Sequence, residues 1–163
     1  MSRRLADLLN GLTDDALRAA LTRCCGSKRW VSKMAGERPF ANDAVVHVSA
    51  QYIWKHLGRD DWLEAFAAHP RIGEQAIEPW AQAEQAGTAI ASPASLEALA
   101  DGNQSYEQRF GHVFLICATG LSADEMLAEL RQRIPNDPGK ELEIAAGEQA
   151  KITRLRLEKL AAS

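Results

Sequence analysis

Side chains with a hydrogen-bonding oxygen, each set just ahead of a run with helical periodicity, constrain this chain more than any other feature. Thr13-Asp14-Asp15, Ser27, Asn42-Asp43, Ser92-Pro93 and Ser122-Ala123-Asp124-Glu125 all read as helix starts. In each, a side-chain oxygen can accept a first-turn N–H, and acidic residues complement the positive end of the helix dipole. Pro93 suits a first helical position, and Ser122 with Glu125 has the spacing of a capping box. Apolar residues then recur at helical steps: Leu17 and Leu21; Trp30, Val31 and Met34; Val45, Val46, Tyr52 and Ile53; Trp62, Leu63 and Phe66; Met126, Leu127 and Leu130. No stretch of roughly four to eight residues alternates and is rich in β-branched residues. Val113–Cys117 comes nearest to a strand, but its flanks read as helix. The expectation is an all-α fold, a single compact domain over residues 1–163, with about eight or nine helices.

The stop signals place the boundaries. Gly26 reads as a C-cap, Gly36 and Gly58 as later stops, and Pro79 to Gly87 as a short helix. Asp101-Gly102-Asn103 breaks the segment that Ser92-Pro93 opens. A further helix is expected from Ser105 to Ala118, ended by Gly120. Pro135 to Gly139 is a turn cluster, and a long helix runs from Lys140 towards Ala161. The Ala81–Ser95 stretch, rich in Ala, Gln, Gly and Ser, reads as a loop or a lid.

Charge and composition exclude several function classes. With 46% hydrophobic and 25% charged residues the chain matches ordinary globular proteins. A net charge of −3 without a basic block gives no reason to expect nucleic acid or an anionic membrane as partner. No apolar run is long enough to span a bilayer, and Met1-Ser2-Arg3-Arg4 leads into a polar segment, not a signal-peptide core. The expected location is therefore cytoplasmic, with Cys24, Cys25 and Cys117 reduced and used as small core residues. Neither Cys-x-x-Cys nor His-Glu-x-x-His occurs, so no metal is expected. The glycines are scattered and there is no Gly-x-Ser-x-Gly elbow, which argues against nucleotide cofactors and a serine hydrolase.

The chemistry-bearing candidates centre on His69-Pro70-Arg71-Ile72-Gly73-Glu74. Pro70 biases His69 towards extended backbone, so the imidazole stands where a helix hands over to a loop. An imidazole titrates near neutrality, and the negative end of a helix favours its cation. A proton-transfer group and a plain helix terminator are both open on these residues alone. His47 and His56 read as surface or capping residues. His112 reads as a core histidine or a pocket wall, with the structural role favoured. On the last helix Leu142, Ala145, Gln149, Ile152, Arg156 and Leu160 share a stripe. An arginine there has to snorkel, pair with an acid, or meet an anionic ligand. Glu84-Gln85 by composition is a solvated helix face.

Taken in order, these residues resemble a known family. Cys24-Cys25-Gly26-Ser27 with Trp30 and Met34, Pro39-Phe40, Asp61-Trp62-Leu63-Glu64-Ala65-Phe66 running into His69-Pro70-Arg71-Ile72-Gly73, and Glu84-Gln85-Ala86-Gly87 all match its pattern. So do Asn103, Tyr106, Arg109-Phe110-Gly111 and Phe114, then Glu141-Leu142, Ile152-Thr153 and Arg156-Leu157. The chain thus resembles the 2-oxo-4-hydroxy-4-carboxy-5-ureidoimidazoline (OHCU) decarboxylases over nearly its whole length. The resemblance implies an all-helical, usually homodimeric carbon–carbon lyase. Such an enzyme converts OHCU to (S)-allantoin and CO2, the last step of urate degradation to allantoin, with no metal or organic cofactor. It implies His69 and Glu84 as catalytic residues, His69 being the general acid–base group. Pro70, Gln85, Phe110, Gly111, His112, Val113, Phe114 and Arg156 would bind substrate. Many relatives carry an aromatic where this chain has His112. The competing expectation is a non-catalytic, all-helical ligand-binding or interaction module in which His69-Pro70 only ends a helix.

Overall fold

The structure, a computed structural model, describes residues 4–74 and 78–162. Among them are nine α-helices, one 3-10 turn and no strand, the all-α class expected. They are α1 (Leu5–Gly11), α2 (Asp14–Cys24), α3 (Lys28–Gly36), α4 (Asp43–Lys55), α5 (Arg59–Ala67), α6 (Pro79–Glu84), α7 (Pro93–Phe110), α8 (Ala123–Arg133) and α9 (Pro138–Ala162), with the 3-10 turn at Ala86–Thr88.

The capping signals act as their chemistry requires. Thr13, Ser27, Asn42 and Ser92 each accept a backbone N–H three residues on with their side chains. Ser122 and Glu125 form the full reciprocal capping box at the start of α8. A carboxylate missed in the sequence, Glu78, caps α6 by accepting from the Ala81 N–H.

The chain divides into two compact units. The first holds the residues up to Ala65 and those from Ala150 on. Here α2 packs on α3, α3 on α4, and α1 on α4. Leu9, Leu17, Leu21, Trp30, Met34 and Val46 are fully buried. Several polar groups in this unit are paired. The Trp30 indole N–H donates to the Ala50 carbonyl at 3.1 Å, and the Asp43 carboxylate accepts the Ala6 N–H at 2.8 Å. Asn10 brackets Phe40, donating to its carbonyl at 2.9 Å and accepting its N–H at 2.8 Å. Cys24 and Cys25 are core residues, as expected, whereas Cys117 is only half-buried. Burial pushes the Cys25 thiol up to about 12, against smaller opposing effects from Ser27 and Thr153, so it stays protonated.

The second unit, Phe66–Gln149, is built on the packing of α7 against α8. Ile72, Leu99, Tyr106, Phe110, Phe114, Ile116, Met126, Leu127 and Leu130 form its core. A charged pair lies inside it: Arg133 at 2% and Glu141 at 0% exposure, 2.6 Å apart. The guanidinium also donates to the Leu115 carbonyl at 2.8 Å and lies over the Phe114 ring, 4.7 Å from its centroid. The Tyr106 hydroxyl donates to Glu141, and the Asn136 amide reaches the same carboxylate at 3.1 Å. Burial works against the charged guanidinium, yet the hydrogen bonds and charge of Glu141 hold the pKa of Arg133 above its ordinary value. Burial, followed by the bond to Glu141, raises that of Tyr106.

Three expected helix boundaries differ in the structure. First, α7 runs unbroken through Asp101-Gly102-Asn103. A Cβ on Gly102 would come within 2.6 Å of the Leu130 side chain, so the glycine serves close packing of α7 on α8. Asn103 turns its amide to the Ile72 carbonyl at 2.7 Å. Second, the helix expected over Ser105–Ala118 stops at Phe110, because Gly111 adopts φ 77, the left-handed C-cap conformation. Residues 112–118 contain no helix or strand. Third, Gly26 is not a left-handed cap: α2 ends on extended Cys25.

The buried stripe of α9 is also displaced from the expected one. Glu141, Ala145, Gln149, Ile152, Thr153 and Leu157 are buried, whereas Leu142, Arg156 and Leu160 are half-buried.

The buried pair yields a test. Glu141→Gln leaves the Arg133 charge without its counter-ion and should lower unfolding free energy by about 3–5 kcal/mol. Tyr106→Phe removes one hydrogen bond to a charged group and should cost about 1.5–3 kcal/mol. Urea unfolding followed by circular dichroism measures both; a loss below that of Tyr106→Phe for Glu141→Gln would contradict the assignment.

Candidate active site

His69 lies two residues beyond α5, at the corner expected from Pro70. Its backbone N–H closes onto the Phe66 carbonyl at 3.1 Å, a last tight turn before the proline prevents continuation. The ring is half-buried, and its Nε2 lies 2.6 Å from the Gln149 amide oxygen. An amide oxygen only accepts, so Nε2 is the donor and carries hydrogen.

The loop after Pro70 is held from several sides. Arg71 donates through Nε to both carboxylate oxygens of Glu107, at 2.9 and 3.0 Å, and this bond with its charge raises the Arg71 pKa. Ile72 is buried in the core, and its carbonyl takes the Asn103 amide. Gly73 adopts φ 91, a left-handed conformation that glycine accepts without strain, and donates its N–H to the Gln85 Oε1 at 3.1 Å. The backbone next to His69 is therefore tied to both α6 and α7.

Glu84 and Gln85 are buried, not a solvated helix face: Glu84 is 9% and Gln85 8% exposed. Gln85 ends α6 and commits its side-chain amide oxygen to the Gly73 N–H. The Ala81–Ser95 stretch is the end of α6, the 3-10 turn and the Ser92 cap. The turn sits backbone to backbone on its neighbour, since a Cβ on Gly87 would lie 2.1 Å from the Leu121 carbonyl oxygen. This explains the glycine two residues after Gln85 in physical terms.

Residues 110–114 form an aromatic wall. Phe110 and Phe114 are buried, and His112 and Val113 half-buried. The His112 ring lies 5.4 Å from Phe66, 5.5 Å from Tyr106 and 6.1 Å from Phe110. Its Nδ1 donates to the Val113 carbonyl at 3.1 Å. His112 thus takes an aromatic's place among rings, and both it and His69 attach to the Phe66 turn.

The other candidates have local explanations. His56 ends α4, with Nδ1 2.8 Å from the Tyr52 carbonyl and its ring tilted against Tyr52, 4.2 Å between centroids, the capping role expected. His47 is half-buried, and burial followed by the charge of Arg154 lowers its pKa. Arg156, in the other unit, donates from Nη1 to the Arg23 carbonyl at 2.9 Å, in the last turn of α2. A guanidinium there meets the negative end of a helix. Among the described residues no group of three or more His, Cys, Asp or Glu is placed to hold a metal ion.

The sequence reading missed Gln149 as the partner of His69, and Arg133 and Glu141 as a buried pair. The available signal was a period: Glu141, Ala145 and Gln149 recur every four residues on α9.

An all-helical scaffold thus holds the His69 imidazole on a buried amide just beyond a helix exit. The family model for OHCU decarboxylase matches residues 10–158, and the chain belongs to that family. It is 39% identical over 145 residues to the uric acid degradation bifunctional protein TTL of Arabidopsis thaliana, covering 84% of this chain and 45% of that protein. It is 26% identical over 153 residues to the 2-oxo-4-hydroxy-4-carboxy-5-ureidoimidazoline decarboxylase of Haloferax volcanii, covering 91% of each. The chain therefore spans less than half of the plant protein and most of the archaeal one. The fold also matches a crystal structure of an OHCU decarboxylase in the presence of (S)-allantoin. That match has a TM-score of 0.81 and 38% identity, over 93% of this chain and all of the other.

Gly87 gives the test for this part of the molecule. Gly87→Ala forces the Leu121 backbone to move and should destabilise the protein by about 1–3 kcal/mol. Hydrogen exchange should show lost protection at the Gly73 amide, which Gln85 holds. An unchanged melting temperature would show that this backbone contact is slack.

Proposed function

We infer that this chain decarboxylates OHCU to (S)-allantoin and CO2, closing the degradation of urate to allantoin. The observation that carries the reading is family membership across nearly the whole chain, coinciding with an imidazole held at the His69-Pro70 corner. Residues 1–163 act as one OHCU decarboxylase-like helical domain in this reading, working in the cytoplasm as a homodimer and using no metal or organic cofactor. Among the described residues no helix is long and apolar enough to cross a membrane.

The chemistry divides into a bond break and a proton delivery. When the carbon–carboxylate bond breaks, CO2 leaves and the electron pair spreads into the conjugated ring of the substrate. A proton then adds to one ring face, which makes the product chiral. Fixed polar groups around the developing charge contribute the larger share of the acceleration. His69 is the general acid–base group, and Glu84 orients or polarises the ring. Pro70 and the Phe110, Gly111, His112, Val113 and Phe114 segment hold its flat faces. Gln85 and Arg156 bind polar atoms and so choose which face receives the proton. The buried setting of Glu84 and Gln85 supports this, since polar groups there are held in fixed orientations.

His69→Gln should lower kcat by about 10²–10⁴-fold, the usual weight of a positioned acid–base group. The measurement follows the circular dichroism of allantoin formed from freshly generated OHCU. Optically active product above the spontaneous rate from the native chain, lost in the variant, is the expected result. Racemic product at the background rate from the native chain would favour a non-catalytic binding module. Wild-type turnover by a variant that binds product normally would remove His69 from the chemistry.

A further inference from the structure

The Gln149 side chain is fully buried, at 0% exposure, on α9. A buried amide must find hydrogen-bond partners, and the Gln149 amide oxygen lies 2.6 Å from His69 Nε2. One carboxylate oxygen of the adjacent Glu148 accepts the Cys117 N–H at 3.2 Å. At Nε2 the imidazole therefore meets a neutral acceptor, the Gln149 amide oxygen.

This choice has two consequences. A hydrogen bond to one ring nitrogen decides which tautomer the neutral ring adopts and how the ring is turned. A neutral acceptor does this without the Coulomb attraction by which a carboxylate would favour the cation. Gln149 stands on a long, continuous helix, and a rigid element gives closer control of ring orientation than a loop.

We propose that Gln149 is a positioning residue that fixes the orientation of the His69 ring and its Nε2–H tautomer. It reaches the reaction through His69 and touches no reacting atom. The proposal rests on the reading of His69 as the proton-handling group, but its structural content can be measured in the resting protein.

Nitrogen-15 NMR of histidine-labelled protein tests it, with the His69 signals assigned by their absence in His69→Gln. In the native chain the neutral ring should carry its hydrogen on Nε2; a neutral ring with hydrogen on Nδ1 overturns the proposal without any further variant. Gln149→Glu puts a carboxylate on the same nitrogen and should raise the His69 pKa by about 1–3 units over the native protein. The limb of the kcat/KM profile that His69 titrates should move to higher pH by the same amount, whichever protonation state is the working one. Gln149→Leu should lose the tautomer preference and lower kcat by about 10²-fold, with KM within several-fold of native. A folded Gln149→Glu protein with an unchanged His69 titration would also overturn the proposal. Native tautomer and shifted titration without turnover by the native chain would leave the Gln149 assignment standing and remove the decarboxylase reading.

Discussion

The ion pair of Arg133 with Glu141 is the interaction on which the unit from Phe66 to Gln149 most depends. Taking two charges out of water costs several kcal/mol for each, even after the surroundings relax. That cost is met only if every donor and acceptor finds a partner in good geometry. Arg133 and Glu141 find theirs in each other, in the Tyr106 hydroxyl on α7, in Asn136, and in the carbonyl of Leu115. One buried carboxylate therefore joins the start of α9 to the end of α8 and the C-terminal part of α7. The guanidinium extends the link to the segment after Gly111.

That last link matters for chemistry. Residues 112–118 have neither helix nor strand to satisfy their backbone, yet Phe114, Leu115 and Ile116 are buried. A buried backbone without regular hydrogen bonding needs individual partners. Arg133 serves Leu115, and Glu148 serves Cys117. Once these are made, the Phe110 to Phe114 wall has little freedom left. The His69 corner is built by the same rule, with side chains in place of a ladder: Asn103 for Ile72, Gln85 for Gly73, and Arg71 braced on Glu107. Both parts of the proposed site are irregular backbone held by helices, an arrangement that places groups more precisely than free loops do.

Much of this was legible beforehand, and the reason is local. A cap needs only an oxygen within three residues of a free N–H, so Thr13, Ser27, Asn42, Ser92 and Ser122 declared their helices without knowledge of the fold. The His69-Pro70 corner was equally readable, because proline acts on its own neighbour. The errors came where a distant contact overruled a local signal. Gly102 looks like a break in sequence, but against Leu130 it is the residue that lets α7 and α8 approach. Glu84 and Gln85 read as solvated face because their burial is decided by the chain around them.

The sequence by itself determined the all-helical class, most of the helix starts, the place of His69 and the family. These depend on hydrogen-bond capping, periodicity and motif order, all of them properties of neighbouring residues. Only tertiary structure decided where α7 ends, which stripe of α9 is buried, and that Gln149 holds the imidazole across 80 residues of chain. Glu141 was visible as a residue and invisible as the centre of a network. A carboxylate reveals whether it is solvated or buried only once Arg133, Tyr106 and Leu115 have been brought to it.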